Sequence, residues 1–116
     1  MTEIIEVFAI HGSASSPAVW DQFCAQAPKG VVVHAIELPG YGGSALELFA
    51  PQQDLISQVA SKIELSTSRY HLVGIGFGGA VAQALADRYR ENVLSLSIYE
   101  TVLVPRDWRD IASPFW

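Results

Sequence analysis

A chain of 116 residues holds one domain with one modest core, since single domains commonly run to roughly 100–150 residues. With 50% hydrophobic, 10% aromatic and 16% charged residues it is not a disordered chain, and the apolar share is high for so small a body. A formal charge of -5, with 7 Lys and Arg placed singly, leaves no basic stripe and sets nucleic acid aside, while a single cysteine, Cys24, excludes an internal disulfide and a cysteine-based metal site.

The N-terminal stretch "MTEIIEVFAI" carries two glutamates and no basic region, and no apolar run reaches the roughly 18 residues of a membrane span. These features predict a soluble cytoplasmic protein with no membrane partner. Residues 4–10 form the first β-branched apolar run and the first predicted strand. Ser16 as N-cap and Pro17 at the first helical position open a helix with Val19, Trp20, Phe23, Cys24 and Ala27 on one face, where Cys24 reads as a buried structural thiol. Val31 to Ile36 is the second strand. After Pro51, the spacing of Leu55, Ile56, Val59, Ala60 and Ile63 predicts a second helix. Tyr70 to Ile75 is the third strand. A helix from Gly78 to about Arg90 follows, burying Val81, Ala84 and Leu85, with Asn92 as its stop. Val93 to Tyr99 is the fourth strand.

Alternation of strand and helix predicts an α/β fold, three layers (α/β/α) around a mostly parallel sheet of about four strands. The turn-forming stretches "HGSASSP", "ELPGYGGS" and "GIGFGG" each follow a strand, so all three fall at the carboxyl edge of the sheet, where open α/β sheets bind ligands. No repeat, low-complexity tract or domain boundary interrupts residues 1–116, which read as a single domain.

The third turn supports two readings. Gly74, Gly76 and Gly79 satisfy G-x-G-x-x-G, and Glu100 ends the next strand, which is the form of a dinucleotide fingerprint. The same turn reads as G-x-S-x-G, the nucleophile elbow, with Gly74 and Gly78 as outer glycines and Gly76 at the serine position. A dinucleotide turn normally follows the first strand of its unit, whereas two strand-helix units precede this one.

Those two units carry signals of their own. "HGSASSPAVW" resembles the oxyanion loop of the α/β-hydrolase superfamily, "ELPGYGGS" its loop after the following strand, and with "GIGFGG" and "AVAQALADRY" they stand in the family's order. The resemblance covers nearly the whole chain and is strongest to small carboxylesterases of the pimeloyl-ester esterase type and to haloalkane dehalogenases. It implies the N-terminal part of a truncated α/β-hydrolase fold, a function related to carboxylic-ester hydrolysis, and no cofactor or metal. It also implies backbone N–H donors for an oxyanion at Ser13 and Phe77 and a small carboxylic ester or anion in the pocket beside them; the N–H groups of residues 77 to 79 at the helix start separately predict a small anion or carboxylate there.

The nucleophile position, where the family has Ser, Cys or Asp, holds Gly76. An elbow nucleophile sits in a strained backbone costing on the order of 1–3 kcal/mol, a cost glycine avoids. Covalent chemistry at residue 76 is excluded, and loss of a triad serine lowers turnover by roughly a millionfold in a comparable hydrolase. The family histidine follows the nucleophile, yet His11, His34 and His71 all precede it and read as hydrogen-bonded structural residues. Glu100, at the end of the fourth strand, has two readings: a vestige of the acid that haloalkane dehalogenases place there, or a solvated capping carboxylate.

Asp107 and Asp110 read as surface charges, and Trp108, Phe115 and Trp116 as exposed aromatic bulk. Family members continue through a cap and further strands bearing the acid and histidine. The expectation is therefore an inactive hydrolase-like protein, either a fragment of a longer one or a shortened one that pairs its fourth strand with another copy. Two alternatives stay open. One is a binding or interaction protein of the same fold, like the N-myc downstream-regulated family, which keeps G-x-G-x-G at the elbow; the other is a dinucleotide-binding module.

Overall fold

The computed structural model describes residues 4–12, 15–38, 55–63 and 69–101. The elements are β1 (Ile5–Ile10), a 3-10 turn (Pro17–Trp20), α1 (Asp21–Ala25), β2 (Val31–Ile36), α2 (Leu55–Ile63), β3 (Tyr70–Ile75), α3 (Phe77–Arg88) and β4 (Val93–Tyr99). All strand pairs are parallel and the order across the sheet is β2-β1-β3-β4. The chain thus winds outward from β1 to β2, then restarts beside β1 and winds outward from β3 to β4. The reversal falls between β1 and β3, which is where an open sheet of this kind leaves a crevice at its carboxyl edge.

Alternation along the strands sends side chains into two cores. On one face Phe8, Ile10, Ile36, Tyr70 and Leu72 pack under Ile56, Val59 and Ile63 of α2 and Val81, Ala84 and Leu85 of α3. On the other face Ala9 and Val73 pack against Trp20, with Val7, Val33, Ala35 and Ile75 around them. The predicted three-layer α/β/α sandwich and four-stranded parallel sheet are therefore observed. Within the first core the Tyr70 ring meets Phe8 edge-on, centroids 5.3 Å apart, and His34 stacks on the same Phe8 at 4.8 Å.

Local chemistry sets the helix ends. Ser16 caps the 3-10 turn, its hydroxyl accepting from the Ala18 N–H at 3.3 Å, and Pro17 follows at the first position as expected. The turn and α1 together differ from one regular helix. The tighter 3-10 winding rotates the predicted face apart, so Trp20 is buried while Val19 and Phe23 lie in solvent. Cys24 is half-buried rather than buried, with Sγ 3.9 Å from the Val33 carbonyl oxygen. α3 starts at Phe77, one residue earlier than predicted, and ends at Arg88. Asn92 is not a helix cap in the left-handed region; its N–H closes a turn onto the Tyr89 carbonyl and its own carbonyl accepts from Tyr70.

Among the described residues β2 and β4 are the sheet edges, and Leu94, Leu96 and Tyr99 of β4 are exposed. No described helix is long and apolar enough to cross a membrane. Ser13, residues 39–44 of the second turn, Pro51, Asp107, Trp108, Asp110, Phe115 and Trp116 lie outside the described residues.

Candidate functional site

One residue separates β3 from α3. Gly76 follows Ile75 and caps Phe77 with φ 58 and ψ -126, a left-handed conformation that strains any residue with a Cβ. Its N–H donates to the Tyr99 carbonyl at 3.0 Å, and its carbonyl accepts from Gly79 at 2.9 Å and Ala80 at 3.4 Å. The sharp turn is thereby clamped from both sides, to the end of β4 and to the first turn of α3.

The outer glycines make the turn sterically feasible. A Cβ on Gly74 would overlap the backbone of Gly78 and Gly79, and one on Gly78 would overlap the carbonyls of Ile10 and His11. α3 therefore starts in direct backbone contact with the end of β1 and with its own preceding strand. A Cβ on Gly79 would meet the Thr101 side chain, 2.7 Å from Cγ2. At Gly76 the situation is reversed. The nearest atom to a Cβ there would be the Cα of Gly12, at 3.8 Å, an ordinary van der Waals distance. The register explains this neighbour: Ile10 pairs with Gly74, so two residues on Gly12 comes level with Gly76 at the β1/β3 reversal.

Crowding at Gly78 adds a demand that only the elbow pattern contains. Gly78, which the dinucleotide pattern ignores, is among the residues least tolerant of a side chain, and Gly79, which that pattern requires, packs on Thr101. Gly74, Gly78 and Gly79 all lack room for a Cβ, and of the four glycines only Gly76 has it.

The other predicted residues fall as follows. His11 is fully buried; the Leu38 N–H donates to its Nε2 at 3.0 Å, so the proton sits on Nδ1, which donates to the Gly12 carbonyl at 2.8 Å. The Nδ1 of His71 lies 2.6 Å from the Ser95 hydroxyl, across β3 and β4. His34 departs from the expected hydrogen-bonded role: its Nε2 is 3.9 Å from Glu6 Oε1, beyond hydrogen-bond reach, and the ring is held by stacking on Phe8. Glu100 is exposed just past β4 with φ 50, while its neighbours Tyr99 and Thr101 both touch the elbow turn. The Gly79 N–H is committed to the Gly76 carbonyl, so an anion at the start of α3 has only the N–H groups ahead of it to meet. Ser13 lies outside the described residues. Gly12, Leu38, Tyr99 and Thr101 were not singled out from sequence. Only the "HG" pair hinted at Gly12, because contacts between strand ends follow from sheet order rather than from local spacing. Among the described residues no group of three metal-ligating side chains occurs.

The description "Alpha/beta hydrolase family" belongs to a family profile that matches residues 7–116. The chain belongs to the alpha/beta hydrolase family. Among its family relatives, an abhydrolase domain-containing protein of Caenorhabditis elegans is 31% identical over 98 residues, covering 78% of this chain and 22% of that protein. A monoacylglycerol lipase of Bos taurus is 29% identical, with 79% of this chain and 29% of the lipase covered. A pimeloyl-[acyl-carrier protein] methyl ester esterase of Neisseria meningitidis is 29% identical, over 80% of this chain and 29% of the esterase. The chain thus spans less than a third of the length of these family relatives. A haloalkane dehalogenase of Agrobacterium tumefaciens shares the hydrolase fold with TM-score 0.75 at 21% identity, over 90% of this chain and 37% of the dehalogenase.

Proposed function

We propose that this alpha/beta hydrolase family chain binds a small carboxylic ester or carboxylate at the Gly76 turn and does not attack it, because Gly76 occupies the nucleophile position. The observation that carries the reading is the turn itself: φ 58 and ψ -126 at a single residue between β3 and α3, with sterically obligatory glycines two residues either side and room for a Cβ at ordinary contact distance from Gly12. A catalytic serine would need this backbone and this space; glycine retains both and lacks the attacking oxygen. Similarity to a monoacylglycerol lipase and a methyl ester esterase supports a carboxylic ester as the ligand class.

In this reading the backbone N–H of Phe77 is a donor to the ligand's carbonyl or carboxylate oxygen, and the family motif assigns the second donor to Ser13, a role that does not depend on side-chain identity. Glu100, exposed just past β4, stands at the strand end where the resemblance puts the acid. Two of the three histidines support inactivity, since the imidazole of His11 is engaged by Leu38 and Gly12 and that of His71 by Ser95.

The test is hydrolysis of p-nitrophenyl acetate by the purified chain. The rate expected is that of buffer alone, for the wild type and also for Gly76→Ser, which regains a hydroxyl but no base. Turnover by the wild type, or turnover gained on Gly76→Ser, overturns the reading, the latter by showing that a histidine reaches residue 76. Titration with acetate, followed by amide spectra, is expected to shift Gly12, Gly76, Phe77 and Gly78; unchanged signals there contradict binding.

A further inference from the structure

A site made of backbone needs its two sides held at a fixed distance. Gly12 and Gly76 lie on different strand ends, and the β1–β3 ladder stops at the pair Ile10 and Gly74, two residues short of them. From Gly76 the constraint is clear, since Tyr99 and Gly79 clamp it. From Gly12 it comes from a side chain. The His11 imidazole has no solvent exposure, accepts from the N–H of Leu38 two residues beyond β2, and donates to the carbonyl of Gly12. The carbonyl of the same His11 lies against Gly78, in the first turn of α3. One residue therefore joins the exits of β1 and β2 to the start of α3.

We infer that His11 is a positioning residue that holds Gly12 in its place opposite Gly76, and with it the wall of the turn that a bound ligand meets. A Cβ on Gly76 would touch only the Gly12 Cα, at 3.8 Å, so Gly12 is the nearest wall above the turn. The ligand part of this inference rests on the proposed function, whereas the positioning part stands on the hydrogen bonds alone.

The experiment has two readouts. In the wild type, long-range nitrogen–proton spectra of the His11 ring are expected to show the proton on Nδ1; a proton on Nε2 excludes acceptance from Leu38 and overturns the inference whatever the ligand does. The second readout compares His11→Phe, which keeps ring volume but neither hydrogen bond, with His11→Gln, whose amide can accept from Leu38. His11→Phe is expected to shift the Gly12 and Gly76 amides and weaken acetate binding at the turn by about tenfold, because Gly12 must then be ordered on binding. His11→Gln is expected to restore most of that. A folded His11→Phe with unchanged Gly76 signals and unchanged acetate affinity sinks the inference. If acetate fails to bind even the wild type, the proposed function fails, while the Nδ1 proton and the Gly76 amide shift still decide the role of His11. Should His11→Phe not fold, the wild-type ring spectrum and His11→Gln decide it.

Discussion

At Gly74 and Gly78 a methyl group meets backbone that cannot move aside, whereas at Gly76 it meets only the Cα of Gly12 at contact distance. The three glycines of the turn should therefore respond differently to substitution. Gly76→Ser is expected to fold with a loss of about 1–3 kcal/mol, all of it from the left-handed backbone. Gly74→Ala and Gly78→Ala are expected to lose more than about 3 kcal/mol or not to fold, because the overlap is with main chain on both sides. Urea midpoints of the three variants check this order. Tyr70 gives a second prediction at the same scale. Its ring is buried and its hydroxyl has no hydrogen-bond partner among the described residues; burial, and secondarily the charge of Tyr89, push its pKa up to about 12 from 10.0. The unfolded chain loses this proton near pH 10.0 and the folded chain near 12, so the folded state holds more protons only between them. Stability is then independent of this group below pH 10 and falls as pH rises from about 10 to 12, by about 2–3 kcal/mol in all. Tyr70→Phe is expected to remove that alkaline loss; identical pH profiles for the two proteins would show that the phenol is not buried as described.

Between elements, the decisive contact is the one that ties the exit of β4 to the start of α3. The Gly76 N–H is bonded to Tyr99, Thr101 fills the place a side chain at Gly79 would take, and Glu100 between them adopts φ 50. The strain at Glu100 is explained by its neighbours, each of which must reach the same turn. A double-mutant cycle tests the tie. Gly79→Ala is expected to cost about 1–3 kcal/mol alone and distinctly less in a Thr101→Gly background, a coupling of about 1 kcal/mol or more. Additive effects would separate the two elements. Much at this scale was legible from sequence, since the β-branched runs mark β2, β3 and β4 to the residue and the Ser16-Pro17 start is a genuine cap. The face of the first helix was not. Periodicity assumes 3.6 residues per turn, and the 3-10 stretch before α1 breaks that phase, leaving Val19 and Phe23 exposed.

For the whole molecule, the alternation of apolar runs was enough to predict a parallel three-layer sandwich, because buried parallel strands and amphipathic helices leave distinct periods. Sheet order was not readable in that way, and with it went the site's most informative neighbours. Gly12 faces Gly76 only because β1 and β3 lie side by side, and Leu38 reaches His11 only because β2 flanks β1. The glycine pattern alone carries two readings; three-dimensional crowding at Gly78 adds a demand that only the elbow pattern makes. The central claim is that a nucleophile elbow persists with its backbone and its space intact and only its side chain missing. A crystal structure of Gly76→Ser tests this most directly. The account predicts φ near 58 and ψ near -126 at residue 76, with the new Oγ in the gap beside Gly12 and the contacts of Tyr99 and Gly79 unchanged. A residue 76 that turns to negative φ, or a hydroxyl pointing away from Gly12 with the turn rebuilt around it, contradicts the claim.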